Sequence, residues 1–282
     1  MSLSQKIFFI IIISLFISCQ KESKKIVITA NDYHKVVDKL TEVMIHDVFS
    51  PPVASRVYVY PNIAAYEVLN SGDSNYMSLV NQIKGLVSFS ANTTKGDVNK
   101  KLAALIAYLN IAKELVFSKV DVKIYRDSLF TVWKTENEAV FLKAKKYASP
   151  YTEHILKLMH SDNYKETRNM PDFNISSEND SRWEPTPPAY MKGIEPSWGS
   201  IRSFILDTPS EFKPTPPPKF SLEKDSPFYK ELRYVYDLTN EIKEKGSVLL
   251  FSNMFSFVPP LFILFIMFLQ VFLFLIFFLF SS

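Results

Sequence analysis

Cys19 is the only thiol in a chain of 282 residues, and it stands directly behind an apolar run. A thiolate is a nucleophile, and in that position it can take a lipid as a thioether. The other residues with chemical reach are few. Asp47, Arg56 and Glu67 are spaced so that two helices would bring them near one another, either as a polar site or as an internal ion pair; the ion pair is the expectation. His46 is next to Asp47 in sequence, so on a helix the two side chains should diverge. His154 and His160 lie six apart, which puts them on different parts of a helix surface. They are expected on the outside, and not as joint ligands of a metal. Trp183 and Trp198 could form a stacking platform for a sugar, but their proline-rich setting favours packing. With no second cysteine, an intrachain disulfide and cysteine-based zinc sites are excluded. No catalytic, cofactor-binding or metal residue set emerges from these types and spacings.

The segment before Cys19 bears on which chemistry is expected of it. Lys6 supplies a basic start, Ile7 to Phe16 an apolar stretch, and Ser18 a small residue before the cysteine. That is the three-part build of an export signal, predicted to span 1–18. The stretch is shorter than the roughly 20 residues a membrane-spanning helix needs. It resembles the lipobox of bacterial lipoproteins, where cleavage precedes a diacylated cysteine, with Phe16 where Leu is usual. Gln20-Lys21-Glu22 resembles the charged stretch that sends some Bacteroidota-type lipoproteins to the cell surface. The expectation is a bacterial envelope protein, at the outer membrane, whose membrane partner is reached through Cys19.

Composition divides the rest into zones. The formal net charge is +3, with both signs interspersed, which does not fit a nucleic-acid partner. After Lys245 there is no charged residue, and eleven of the chain's 24 Phe fall there. The predicted organisation is a lipidated linker over 19–30, a helical bundle over 31–168, a proline- and aromatic-rich segment over 169–225, a helix over 226–245 and an apolar tail over 246–282.

The bundle follows from periodicity. Tyr33, Val36, Val37, Leu40, Val43 and Met44 recur at helical spacing. Ser50-Pro51-Pro52 suits the start of a second helix, bent near Pro61. A third is predicted over Asp97 to Val116 with one apolar stripe, and a fourth over Asp121 to Lys146. Ser149-Pro150 should open another that runs to His160. No strand pattern stands out. Between Asn169 and Pro218 lie ten of the 17 prolines, which rules out one long helix. Trp183, Tyr190, Trp198, Phe204 and Phe212 are interleaved with them, so a wrapped segment packed on the helices is expected, with helical turns near Glu195 to Leu206. Pro214 to Pro218 reads as a rigid spacer. Asp225-Ser226-Pro227 starts a last helix with Phe228, Leu232, Val235 and Ile242 on one face.

Two stretches carry a family resemblance. One is His46-Asp47-Val48-Phe49-Ser50-Pro51-Pro52-Val53-Ala54-Ser55-Arg56-Val57-Tyr58, continuing through Tyr60-Pro61-Asn62-Ile63-Ala64-Ala65-Tyr66-Glu67. The other is Trp183-Glu184-Pro185-Thr186-Pro187-Pro188-Ala189-Tyr190-Met191, followed by Glu195-Pro196-Ser197-Trp198-Gly199. Together they resemble the N-terminal half of bacterial vanadium-dependent haloperoxidase-like proteins, within the type-2 phosphatidic acid phosphatase superfamily. The resemblance covers roughly Asn31 to Ile242 and implies an all-α bundle. It also implies vanadate or phosphate as the family's bound oxyanion, held by Lys-x6-Arg-Pro, Pro-Ser-Gly-His and Ser-Arg-x5-His motifs in the C-terminal half.

None of those motifs is present. No arginine precedes a proline and no histidine follows Ser-Gly; Ser55-Arg56 leads to Asn62 and Ser181-Arg182 to Pro188 where histidine is required. The expected function is therefore an envelope lipoprotein resembling a non-catalytic front half, inactive as written and without a cofactor of its own. The other reading is a non-enzymatic surface lipoprotein that binds glycan or a partner protein. Phe257 to Phe280 is long enough to span a bilayer, but Lys243 and Lys245 lie on the exported side, against the positive-inside trend. Its Phe, Leu and Ile composition is what an out-of-frame reading of an AT-rich gene would give, entered near Lys245-Gly246. A C-terminal apolar membrane helix is the competing expectation.

Overall fold

The computed structural model describes residues 24–89, 97–208 and 210–245. Cys19, the export signal and the apolar tail lie outside them. Among the described residues there is no strand, and no helix is long and apolar enough to cross a membrane. The helices are α1 (Ala30–His46), α2 (Pro51–Asn70), α3 (Lys100–Leu115), α4 (Lys119–Glu136), α5 (Glu138–His160), the single turn α6 (Tyr164–Thr167) and α7 (Pro227–Lys245), with a 3-10 turn at Trp198–Ser200. The all-α bundle is as the resemblance implies.

The middle of the bundle is α3, which packs on α2, α5, α4 and α1. A single stripe was expected on it, yet Ala103, Ala104, Ala107 and Ala112 are buried along with Leu102, Leu105, Ile106, Leu109 and Ile111. The alanines explain why. Small side chains let neighbouring helices close on the faces that the larger residues leave, so α3 is hydrophobic nearly all round, as a central helix must be. Asn99 caps it, its Oδ1 accepting from Leu102 N at 3.0 Å. The expected start at Asp97 is thus a turn too early.

Two further boundaries differ from expectation, each for a nameable reason. The predicted helix over 121–146 is two helices, because Asn137 takes an extended conformation (φ −156°, ψ 95°). Its backbone N–H donates to Trp133 and closes α4, while its Oδ1 accepts from Val140 N and opens α5. Conversely, Pro150 does not open a helix but lies inside α5. A proline there costs about 3 kcal/mol of helix stability. Tyr147, Ala148, Tyr151, Thr152, Ile155, Leu158 and Met159 are buried on either side of it, and that packing offsets the cost.

The first helix is held at both ends. Thr29 and Asp32 form a reciprocal capping box, with Thr29 N donating to Asp32 Oδ2 at 2.9 Å. At the other end Val48 N–H donates to the Ile45 carbonyl and Phe49 N–H to the Met44 carbonyl, both at 3.1 Å. That is the Schellman pattern, which needs a left-handed residue at its turn and usually finds glycine. Here the residue is Val48, with φ 54°, a conformation that β-branched side chains resist. The turn aims the chain at Ser50-Pro51-Pro52, where α2 begins. Val48 is well exposed, so its side chain gains little packing in return. Val48→Gly should therefore raise stability by about 1 kcal/mol, read as a higher urea midpoint with unchanged slope. A lower midpoint would show that the valine side chain contributes more than its backbone strain costs.

Candidate functional site

The two stretches that carry the family resemblance meet at one end of the bundle, around Asp162. This aspartate follows α5 and is almost fully buried. Arg56 of α2 donates from Nε to Asp162 Oδ2 at 2.6 Å and from a terminal nitrogen to the Met159 carbonyl at 3.3 Å. Tyr60, one turn along α2, donates its hydroxyl to the same Oδ2 at 2.8 Å. Asp162 Oδ1 accepts from Tyr164 N at 3.0 Å, which starts α6. Three residues on two elements, Arg56 and Tyr60 of α2 and Tyr164 of α6, thus converge on one carboxylate. Burial, with Asp162 close by, pushes the Tyr60 hydroxyl pKa far above its ordinary value, so it remains a donor.

A second set of contacts fastens the proline-rich segment to this joint. Arg202 N donates to the Asp162 carbonyl at 2.9 Å. Its guanidinium donates to the carbonyls of Leu158 (2.6 Å) and Ser161 (3.1 Å), the unsatisfied oxygens at the end of α5. Gly85 lies beneath it: a Cβ there would meet Arg202 and Leu158 at 3.2 Å, and its φ is +79°. Glycine is needed on both counts. Phe204 packs edge-on against Tyr60, with centroids 5.3 Å apart. Glu195, also at positive φ, receives both terminal nitrogens of Arg168 and a 3.4 Å hydrogen bond from Ser50. Arg56 and Arg168 also lie over the Tyr164 ring, at 4.2 and 4.5 Å. Ser50 belongs to the first stretch and Glu195 to the second.

This geometry revises several expectations. Arg56 pairs with Asp162, not with Asp47 or Glu67. Asp47 instead reaches the start of α4, accepting from Phe117 N at 2.8 Å, Ser118 N at 2.9 Å and the Ser118 hydroxyl. Burial pushes the Asp47 pKa up, but the bonds from Ser118, His46 and Phe117 outweigh it and leave the group below the usual carboxylate range. A carboxylate is favoured at a helix N-terminus. His46 does not diverge from Asp47: its Nδ1 lies 3.3 Å from Asp47 Oδ1 and 3.3 Å from Ser118 Oγ. Glu67 holds the following loop, accepting from the Ser78 hydroxyl at 2.7 Å and Leu79 N at 2.6 Å.

The histidines and aromatics also sort differently. His160 is exposed as expected, but His154 stacks on Phe89 at 4.2 Å and has a buried Nε2 without a hydrogen-bond partner. Burial lowers its pKa, and that favours the neutral ring. Trp198 and Phe204 pack on the core, whereas Trp183, Tyr190 and Phe212 are 49%, 63% and 63% exposed. Trp183 meets Phe173 edge-on and borders a cavity of about 620 Å³ with Pro187, Pro188, Met191, Lys192 and Ile194. The wrapped segment is therefore packed only in its middle, around Trp198 and Phe204, and open on either side. The last helix, capped by Ser226, leaves Leu232 and Val235 of its apolar face about half exposed.

Oxyanion chemistry needs cations aimed at the anion. All six arginines of the chain donate instead to protein oxygens: Arg56, Arg168 and Arg202 at the joint, Arg126 to Asn110 and Asp127, Arg182 to the Asn174 carbonyl and Arg233 to Asp237. Among the described residues no group of three His, Cys, Asp or Glu could hold a metal ion. These residues do not fit vanadate. What the joint can do is position: it fixes α2, α5, α6 and the proline-rich segment relative to one another. Asp162 was not singled out from the sequence. Its nearest signal was Ser161-Asp162-Asn163 after a helix, a common turn composition.

The helical bundle is thus met at one end by a segment bearing prolines and aromatics, and the two stretches touch through Ser50 and Glu195. The comparison with solved structures supports a haloperoxidase-like relationship. The crystal structure of a bacterial protein described as the first bacterial vanadium-dependent iodoperoxidase is 46% identical and superimposes with a TM-score of 0.77. The match covers 80% of this chain and 55% of that one; the chain thus spans little more than half of its solved relative. No family model matches, and no curated protein does.

Breaking the joint at one partner should be costly. Asp162→Ala strands Arg56 in the interior and should lower the unfolding free energy by about 3–5 kcal/mol. Replacing both partners by apolar residues (Arg56→Met with Asp162→Leu) should cost less, since no charge is left buried. A double variant as unstable as the single one would mean that the pair stabilises the fold outright.

Proposed function

We propose that this chain is an envelope lipoprotein whose body is the positioning half of a vanadium-dependent haloperoxidase and is catalytically silent by itself. The observation that carries the reading is the combination of 46% identity with 55% coverage of the iodoperoxidase, in a chain whose arginines are all engaged by protein oxygens. Halide oxidation by this enzyme class requires a vanadate held among cations, and that cage would come from sequence with no counterpart here. The charge-free composition after Lys245 supports an out-of-frame origin for the tail, and translation of the downstream DNA in the other frames should then reveal Ser-Gly-His and Ser-Arg-x5-His. Lipidation at Cys19 rests on the basic, apolar and small-residue order before it.

The test is one preparation with two readouts. The chain loaded with vanadate should show no iodide oxidation by peroxide above buffer, and its N-terminal peptide should carry a diacylglyceryl mass that Cys19→Ala removes. Measurable iodide oxidation would overturn the silent reading. An unmodified cysteine would overturn the lipoprotein reading.

One observation favours the second reading, a surface lipoprotein that binds glycan. Trp183 stays half exposed beside the apolar cavity and Lys192, as a stacking platform would. Trp183→Ala should then abolish binding to a glycan array while Trp198→Ala, which loosens packing, weakens stability instead. Absence of glycan binding in the unaltered chain removes this reading.

A further inference from the structure

We propose that a lysine-lined cavity at the opposite end of α5 is a seat for anionic phospholipid headgroups, so that the body lies down on the membrane that Cys19 enters. The proposal rests on the lipidation reading above. The cavity, about 590 Å³, is lined by Lys24, Lys25, Lys101 and Lys143, with Asp97 as the one carboxylate among its lining residues. Lys101 comes from the start of α3 and Lys143 from the first turns of α5. Glu138, the nearest acid on α5, pairs with Lys134 at 3.2 Å.

The position of the cavity follows from how the chain enters the bundle. Lys24 N donates to the Glu136 carbonyl at 3.1 Å, and Asn137 Nδ2 donates to the Lys24 carbonyl at 3.4 Å. Asn99 Nδ2 donates to the Ile26 carbonyl at 2.9 Å. Ile26 and Ile28 are buried. The chain is therefore fixed to the body from Lys24 onward. Four residues separate Lys24 from Cys19, and five backbone steps span at most about 18 Å when fully extended. A lipid on Cys19 would hold the Lys24 end of the body within that distance of the headgroups, and the cavity opens at that end. Four cations held there attract an anionic surface, each contributing independently of sequence and each weakened by salt.

The experiment uses the full chain, reconstituted into vesicles of phosphatidylcholine with or without phosphatidylglycerol, with amine-reactive footprinting read by mass spectrometry. In vesicles containing phosphatidylglycerol, Lys24, Lys25, Lys101 and Lys143 should lose reactivity at low salt and regain it at high salt. Lys219 and Lys230, which lie on the proline-rich segment and α7, should not change. Removing a lysine should weaken the seating about five-fold, so Lys101→Gln with Lys143→Gln should restore labelling of Lys24 and Lys25. Equal labelling in both vesicle types, with the acyl mass present, overturns the proposal. So does protection by inorganic phosphate alone with none from vesicles, which would make the cavity a site for a soluble anion. An N-terminal peptide without the acyl mass removes the lipoprotein reading and this proposal with it, and the mass distinguishes that failure from the others.

Discussion

The structure depends on a single buried carboxylate. Asp162 takes one hydrogen bond from a guanidinium, one from a phenol and one from a backbone amide, and through them α2, α5 and α6 acquire fixed relative positions. Burying Arg56 and Asp162 removes two charges from water, which is unfavourable unless each is fully satisfied. Here the carboxylate receives three donors, and the guanidinium donates to Asp162 and to the Met159 carbonyl while its face lies on the Tyr164 ring. The arrangement tolerates little displacement, because any movement of α2 against α5 leaves a charge unpaired in the interior. That intolerance is what lets a long proline-rich strap, with few backbone bonds of its own, hold one course across the bundle end.

The helical architecture was legible from periodicity because burial on one helix face imposes it. Tyr33, Val36, Leu40, Val43 and Met44 are buried on α1 as their spacing implied. Periodicity was least informative where burial is not one-sided. On α3 the alanines read as neutral in a pattern of large apolar residues, yet they are the surfaces on which other helices close. Local boundary signals failed where tertiary contacts override them. Pro150 reads as a start, but the tyrosines around it keep the helix intact. Asn137 reads as an ordinary helix residue, but one side chain and one amide end one helix and begin the next.

The polar joint was much less legible. Arg56 was visible as a charge in an apolar helix, but its partner lies 106 positions away, and no spacing rule connects two such residues. Asp47, Arg56 and Glu67 were grouped because they are near in sequence; each in fact serves a different loop or helix start. Glycine and valine at positive φ carry the same lesson. Gly85 is needed because Arg202 passes over it, a constraint set by a residue far along the chain, and nothing about Val48 in sequence marks it as a left-handed turn.

The attachment of the first described residues has a mechanical side. Tension on the chain from its N-terminal side does not first reach α1. It is borne by the bonds from Lys24 to Glu136 and Asn137 and by the bond from Asn99 to Ile26, and these hand the load to α3 and to the junction of α4 and α5. The entry segment lies across the bundle instead of leading straight into one helix, so a pull loads several bonds at once and is shared among elements that also pack on one another. A body built this way resists being unravelled from that side, and α1 is shielded from the load by the six residues, Lys24 to Thr29, that precede it.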